Sequence, residues 1–177
     1  VTNYINDLYD FLKGADQNRI GPPRMLQAGL ISKKHIKNAI IILTFVGLMA
    51  GLPLAIKGGW PIVVIGLSSF FFAYLYTAGP FALAYNGLGD IFVFIYFGLI
   101  AVSGSYYLQT DIVNMSCIYL GASVGCKNVL LLIINNLRDY KNDLCSQKKT
   151  LIVKYGCVFG KTYALATLFL SYVSVFL

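Results

Sequence analysis

The residues Asn135-Asn136-Leu137-Arg138-Asp139-Tyr140-Lys141-Asn142-Asp143 put amides, carboxylates and cations at the exit of a long apolar segment. Asn135, Asp139 and Asp143 recur at every fourth position. On a helix that spacing stacks them along one face, drifting by only about 40° per step. Such a face can hold Mg²⁺, which takes oxygen ligands and keeps coordination positions for water or phosphate oxygens. A second stretch, Asn3-Tyr4-Ile5-Asn6-Asp7-Leu8-Tyr9-Asp10, echoes the first: Asn6 and Asp10 are again four apart, with Asp16 and Arg19 beyond them. Two such faces set against each other would make a cage lined by acids and rimmed by cations. A diphosphate fits it, bridged to the carboxylates through Mg²⁺ and gripped by Arg or Lys.

Those stretches need elements to bring them together, and the composition says what kind. Of 177 residues, 58% are hydrophobic and 12% charged, with a mean hydropathy of +0.70, which describes a polytopic membrane protein. Apolar spans are expected at about 38–56, 61–78, 88–108, 112–134 and 160–177, each near the length that crosses a bilayer core. Residues 1–12 read as the end of an earlier helix. The fold class is therefore all-α, a transmembrane helical bundle with about five full spans, forming one domain over 1–177 that is expected to be incomplete at both ends. The four Cys show no metal-binding spacing and read as small buried hydrophobes, with a reduced thiol at Cys145.

Charge fixes the orientation. Six of the 14 basic residues (Lys13, Arg19, Arg24, Lys33, Lys34 and Lys37) fall in the first loop, and six (Arg138, Lys141, Lys148, Lys149, Lys154 and Lys161) in the last. Four spans separate the two loops, so both lie on one side. The positive-inside rule makes that side cytoplasmic. The 77–89 connection falls there too, while the tight turns at Lys57-Gly58-Gly59 and Gln109-Thr110-Asp111 face away. The excess of +7 serves topology and anionic lipid, with no nucleic-acid partner expected. The acids are a separate matter. All seven are Asp, although Glu is the better helix former, so short carboxylates are kept for position.

Asn6-Asp7-x-x-Asp10 and Asp139-x-x-x-Asp143 resemble the two Asp-rich motifs of the UbiA superfamily of intramembrane aromatic prenyltransferases. Within it, the dihydroxynaphthoate polyprenyltransferases of menaquinone synthesis are the most similar branch. The likeness rests on Arg19-Ile20-Gly21-Pro22, Tyr76-Thr77-Ala78-Gly79-Pro80, Leu83-Ala84-Tyr85, Gly87-Leu88-Gly89-Asp90, Gly104-Ser105-Tyr106-Tyr107-Leu108-Gln109 and Asn135-Asn136-Leu137-Arg138-Asp139. Two departures stand out: Gly14 replaces a carboxylate common in the superfamily, with Asp16 standing in, and Gln147 replaces a Gly before Lys148.

The resemblance implies Mg²⁺-dependent transfer of a polyprenyl group from its diphosphate to 1,4-dihydroxy-2-naphthoate, with release of diphosphate and carbon dioxide. Asp10, Asp139 and Asp143 would be catalytic. Asn6, Asp7, Asp10, Asp16, Asn135, Asp139 and Asp143 would hold Mg²⁺, while Arg138, Lys148, Arg19 and Arg24 would meet the diphosphate. Tyr76, Tyr85 and Asp90 would line the aromatic site, though Asp90 also reads as a helix cap. Lys127, inside a span, reads either as snorkelling or as facing a cavity. The expected location is the cell inner (plasma) membrane with the Asp motifs on the cytoplasmic side. Open alternatives are another acceptor (4-hydroxybenzoate, homogentisate or a haem), a transporter, or an inactive fragment.

Overall fold

The computed structural model describes residues 1–15 and 22–176, and every described element is a helix or turn. In chain order they are α1 (Thr2–Leu12), α2 (Lys33–Leu75), a 3₁₀ turn (Leu83–Tyr85), α3 (Gly89–Phe94), a π turn (Ile95–Ile100), α4 (Ala101–Thr110), α5 (Met115–Arg138), α6 (Tyr140–Cys145) and α7 (Leu151–Phe176). Four of the helical stretches are long and apolar enough to cross a membrane: α2, α3 through α4, α5 and α7.

The first of these accounts for two of the expected spans. At 43 residues, α2 is twice the length a bilayer needs, but it does not run straight. Gly59 has φ 67°, in the left-handed region that a side chain disfavours, and Pro61 follows. The arms 33–58 and 60–75 fold back on each other, so that a methyl group placed on Gly47 would touch the Phe70 ring at 3.0 Å. Both ends of α2 therefore return to α1. Ile36 packs on Leu8, and the Tyr9 and Tyr74 hydroxyls share a hydrogen bond of 2.8 Å.

A glycine seam joins α5 to the π turn. A methyl group on Gly98 would lie 2.4 Å from the Gly125 Cα and 2.6 Å from the Gly121 carbonyl oxygen, so the backbones touch directly. The π turn leaves the Phe97 carbonyl to accept a bond from Asn128 Nδ2 at 3.4 Å. On the opposite flank α5 packs along α7, where the buried Ser123 hydroxyl donates to the Ser171 carbonyl at 2.6 Å. Gly156, at φ 88°, breaks α7, so its long arm starts close to the expected residue 160. Lys127 is exposed on α5, with its ammonium 6.0 Å from the centre of the Tyr172 ring, a contact that accompanies its outward direction.

Candidate active site

At one end of the bundle, α1, the 77–88 connection and the 139–150 segment are tied together by polar contacts. Thr77 donates its hydroxyl to the Asn6 side-chain oxygen, and Asn142 donates to the Ala15 carbonyl. Lys149 N–H donates to the Tyr85 carbonyl at 3.0 Å. The arrangement follows from the sequence locally: Gly79-Pro80 and Gly87 break the helix after α2, and the short apolar residues Ala78, Ala82, Leu83 and Ala84 bury themselves beneath the loop.

Asp10 joins three elements of this end of the bundle. It is buried, accepts the Tyr85 hydroxyl at 2.8 Å and lies 3.7 Å from the Arg24 guanidinium. Tyr85 in turn carries the Lys13 ammonium 3.9 Å from its ring centre and the Lys148 ammonium at 5.3 Å. Lys13 also donates to the Thr77 carbonyl at 2.8 Å. Desolvation draws the Lys13 pKa below its ordinary value; Asp10 opposes that shift and Lys148 adds to it.

The second Asp stretch is arranged differently. Helix α5 stops at Arg138, and Asp139 leaves the helical conformation, although the Asp139 and Asp143 amides still bond to the carbonyls four residues back. The three stacked positions consequently meet unlike surroundings: Asn135 is exposed, Asp139 half-buried and Asp143 buried. Arg138 forms a two-toothed bond to Asp139 at 2.9 and 2.8 Å. The neighbouring Asn136 is the buried amide. Asp16 and Arg19 lie outside the described residues.

Two cavities open here. The larger, of about 430 Å³, runs from Asn6 and Tyr76 past Phe72, Phe92, Val93 and Tyr96 to Ala101. Its rings pack together, with Phe72 4.7 Å from Phe92 and 5.3 Å from Tyr96. A small polar cavity of about 20 Å³ is bordered by Tyr76, Asp90, Asn136, Lys148 and Thr150. Tyr76 is the wall shared by both. Burial, then the charges of Asp90 and Asp10, push its phenol well above the usual range, so it stays a neutral donor. Asp90 is buried in the first turn of α3, where the helix dipole suits a carboxylate; the cap position itself belongs to Leu88.

The donor set suits a divalent ion in its chemistry. Asp7 Oδ1 is buried without a hydrogen-bond partner among the described residues, and such an oxygen gains from a cation or a donor brought beside it. Among those residues no three His, Cys, Asp or Glu side chains form a group that could hold an ion by themselves. Sequence reasoning passed over Lys13, Thr77, Asn136 and Thr150. Thr77 and Asn136 lie within the segments that carry the resemblance and Thr150 two residues after Lys148, whereas Lys13 is selected only by which way the loop turns.

The chain is 35% identical to the 1,4-dihydroxy-2-naphthoate octaprenyltransferase of Mycobacterium leprae over 154 residues, 87% of this chain and 52% of that one. The proteins of the same name from Haemophilus influenzae and Escherichia coli are each 35% identical over 170 residues, 92% of this chain and 55% of theirs. The chain thus spans about half the length of the curated relatives it matches. No solved structure matches it significantly. The family comparison covers residues 1–177 without interruption, and the chain belongs to the UbiA prenyltransferase family.

Proposed function

We propose that the protein transfers a polyprenyl group from polyprenyl diphosphate to 1,4-dihydroxy-2-naphthoate, releasing diphosphate and carbon dioxide, at the cytoplasmic face of the cell membrane. The observation that carries this reading is a polar cluster of Asp10, Tyr85, Arg24, Lys13 and Lys148 at the end of the bundle where a deep aromatic cavity opens. The acceptor comes from the names of the relatives above. The side assignment comes from the basic loops.

Mg²⁺ would be held by Asn6, Asp7, Asp10, Asp139 and Asp143, with Asn135 within one turn, and would neutralise the charge that collects on the departing diphosphate. Lys148, Arg24 and Arg138 supply further positive charge at the same end. The prenyl tail occupies the large cavity, whose aromatic and apolar walls keep water from the allylic cation that forms when the C–O bond breaks. Tyr76, neutral and shared between the two cavities, and Asp90 border the place from which the electron-rich ring attacks. The ring's displaced substituent leaves as carbon dioxide, which restores aromaticity.

The test is Mg²⁺-dependent prenylation of the naphthoate by membranes containing the protein, with 4-hydroxybenzoate and homogentisate as competing acceptors. Unchanged rates in Asp10→Ala and Asp139→Ala would overturn the site; preference for another acceptor would overturn the substrate.

A further inference from the structure

Tyr85 reads from the sequence as a wall of the aromatic site, yet it borders neither of the two cavities, whereas Tyr76 borders both. Its groups are engaged elsewhere. The hydroxyl donates to Asp10, the carbonyl accepts from the Lys149 amide, and Lys13 and Lys148 both stand over the ring. The two ammoniums come from opposite ends of the chain, one just past α1 and the other just past α6. Among the described residues these two ammoniums and the Arg24 guanidinium, 3.7 Å from Asp10, stand against the one carboxylate that the Tyr85 hydroxyl meets, a surplus of positive charge that suits an arriving anion.

Lys13 is moreover held in place: its ammonium bonds the Thr77 carbonyl just beyond α2, and Thr77 is fixed by its own bond to Asn6. A lysine serving only to solvate the surface has no use for such anchoring, because it gives up side-chain entropy.

We propose that Lys13 and Lys148 are the two arms of a clamp for the diphosphate of the prenyl donor, and that Tyr85 is the positioning residue that sets both arms and Asp10 in register. The clamp rests on the prenyl-transfer reading. It adds Lys13 to the groups that meet the leaving group, and it moves Tyr85 from the acceptor side of the site to the donor side.

The experiment measures binding of Mg²⁺ with inorganic diphosphate to the protein in phosphatidylcholine nanodiscs, together with the KM for the naphthoate. Lys13→Met and Lys148→Met each weaken diphosphate binding about tenfold, the scale of one lost charge-assisted bond. Tyr85→Leu weakens it as much as either. Adding Lys13→Met to Tyr85→Leu costs under half of what it costs alone, since both act through one arrangement. Tyr85→Phe, which keeps the ring, has a smaller effect, and the acceptor KM stays unchanged throughout. Lys13→Arg retains binding, which shows that loss in Lys13→Met is not misfolding, and Lys34→Met on the exposed start of α2 changes nothing.

Unaltered diphosphate binding in Lys13→Met, or a raised acceptor KM with unaltered diphosphate binding in Tyr85→Leu, overturns the clamp. Displacement of diphosphate by phosphatidylglycerol overturns it too, in favour of a lipid-headgroup site. Normal clamp behaviour without prenylation of any aromatic acceptor overturns the functional reading instead.

Discussion

The two Asp stretches share a spacing and differ in almost everything built on it. In the first, Asn6, Asp7 and Asp10 ride one unbroken helix; both acids are buried, Asn6 and Asp10 accept from the hydroxyls of Thr77 and Tyr85, and Arg24 meets Asp10 only through a longer contact of 3.7 Å. In the second, the helix stops at Arg138, Asp139 is gripped by that exposed neighbour, and Asp143 is buried beyond it. A neutral hydroxyl fixes a carboxylate without neutralising it. An arginine neutralises it and must be displaced or shared before the carboxylate meets a metal. On the prenyl-transfer reading proposed above, the first stretch would therefore meet a metal preorganised, and the second would have to rearrange first.

That asymmetry can be broken by measurement. Asp10→Ala should have the largest effect, a fall of about a thousandfold in the rate of prenyl transfer, against about a hundredfold for Asp139→Ala, on the scale seen when one preorganised electrostatic group is removed. Equal losses would mean that burial and hydroxyl support make no difference. Next comes Tyr85→Phe, which leaves Asp10 without one donor and should slow transfer about tenfold at subsaturating donor. The corresponding loss on the other side, Arg138→Met, should lower the Mg²⁺ concentration needed for half-maximal rate about twofold to threefold, because it frees Asp139; a higher requirement would show that Arg138 serves the diphosphate more than it restrains the acid. The smallest contrast lies within one dipeptide. Asn136→Ala removes a buried amide and should lower thermal stability in detergent by about 1–2 kcal/mol, whereas the exposed Asn135→Ala should stay within about 0.5 kcal/mol. Reversed values would put the opposite face of α5 toward the site.

Much of the scaffold was legible because hydropathy alone defines it. The spans appear close to where the apolar runs place them, and Gly58-Gly59 with Pro61 announces the hairpin in α2, since glycine takes the left-handed conformation there without strain. The helix ending in residues 1–12 was equally plain. The site was legible by residue type but not by direction. Asn135 and Asn136 are chemically identical in sequence, and only the side of α5 that turns toward Tyr76, Asp90 and the Lys148–Thr150 segment decides which one is buried. Lys13 had no marker of its own, since its partners Thr77, Tyr85 and Lys148 lie far along the chain and meet it only after both ends of α2 return to α1. Under the clamp, Tyr85 serves the opposite side of the reaction from the one its type suggests: an aromatic residue in a loop looks the same whether its ring faces a substrate or carries two ammonium groups.

The π turn at Ile95–Ile100 has a consequence for register. An α-helix advances about 100° per residue, so the one extra residue in a π turn rotates the helix before it by roughly that angle relative to the helix after it. Here Asp90, Phe92 and Val93 lie on one side of the turn and Ala101 on the other, yet all of them face a cavity. Removing a single residue from the turn would therefore act as a twist rather than a shortening. It would leave the membrane span long enough to cross while swinging either Asp90 or Ala101 out of alignment with the cavity wall that the other helps to form.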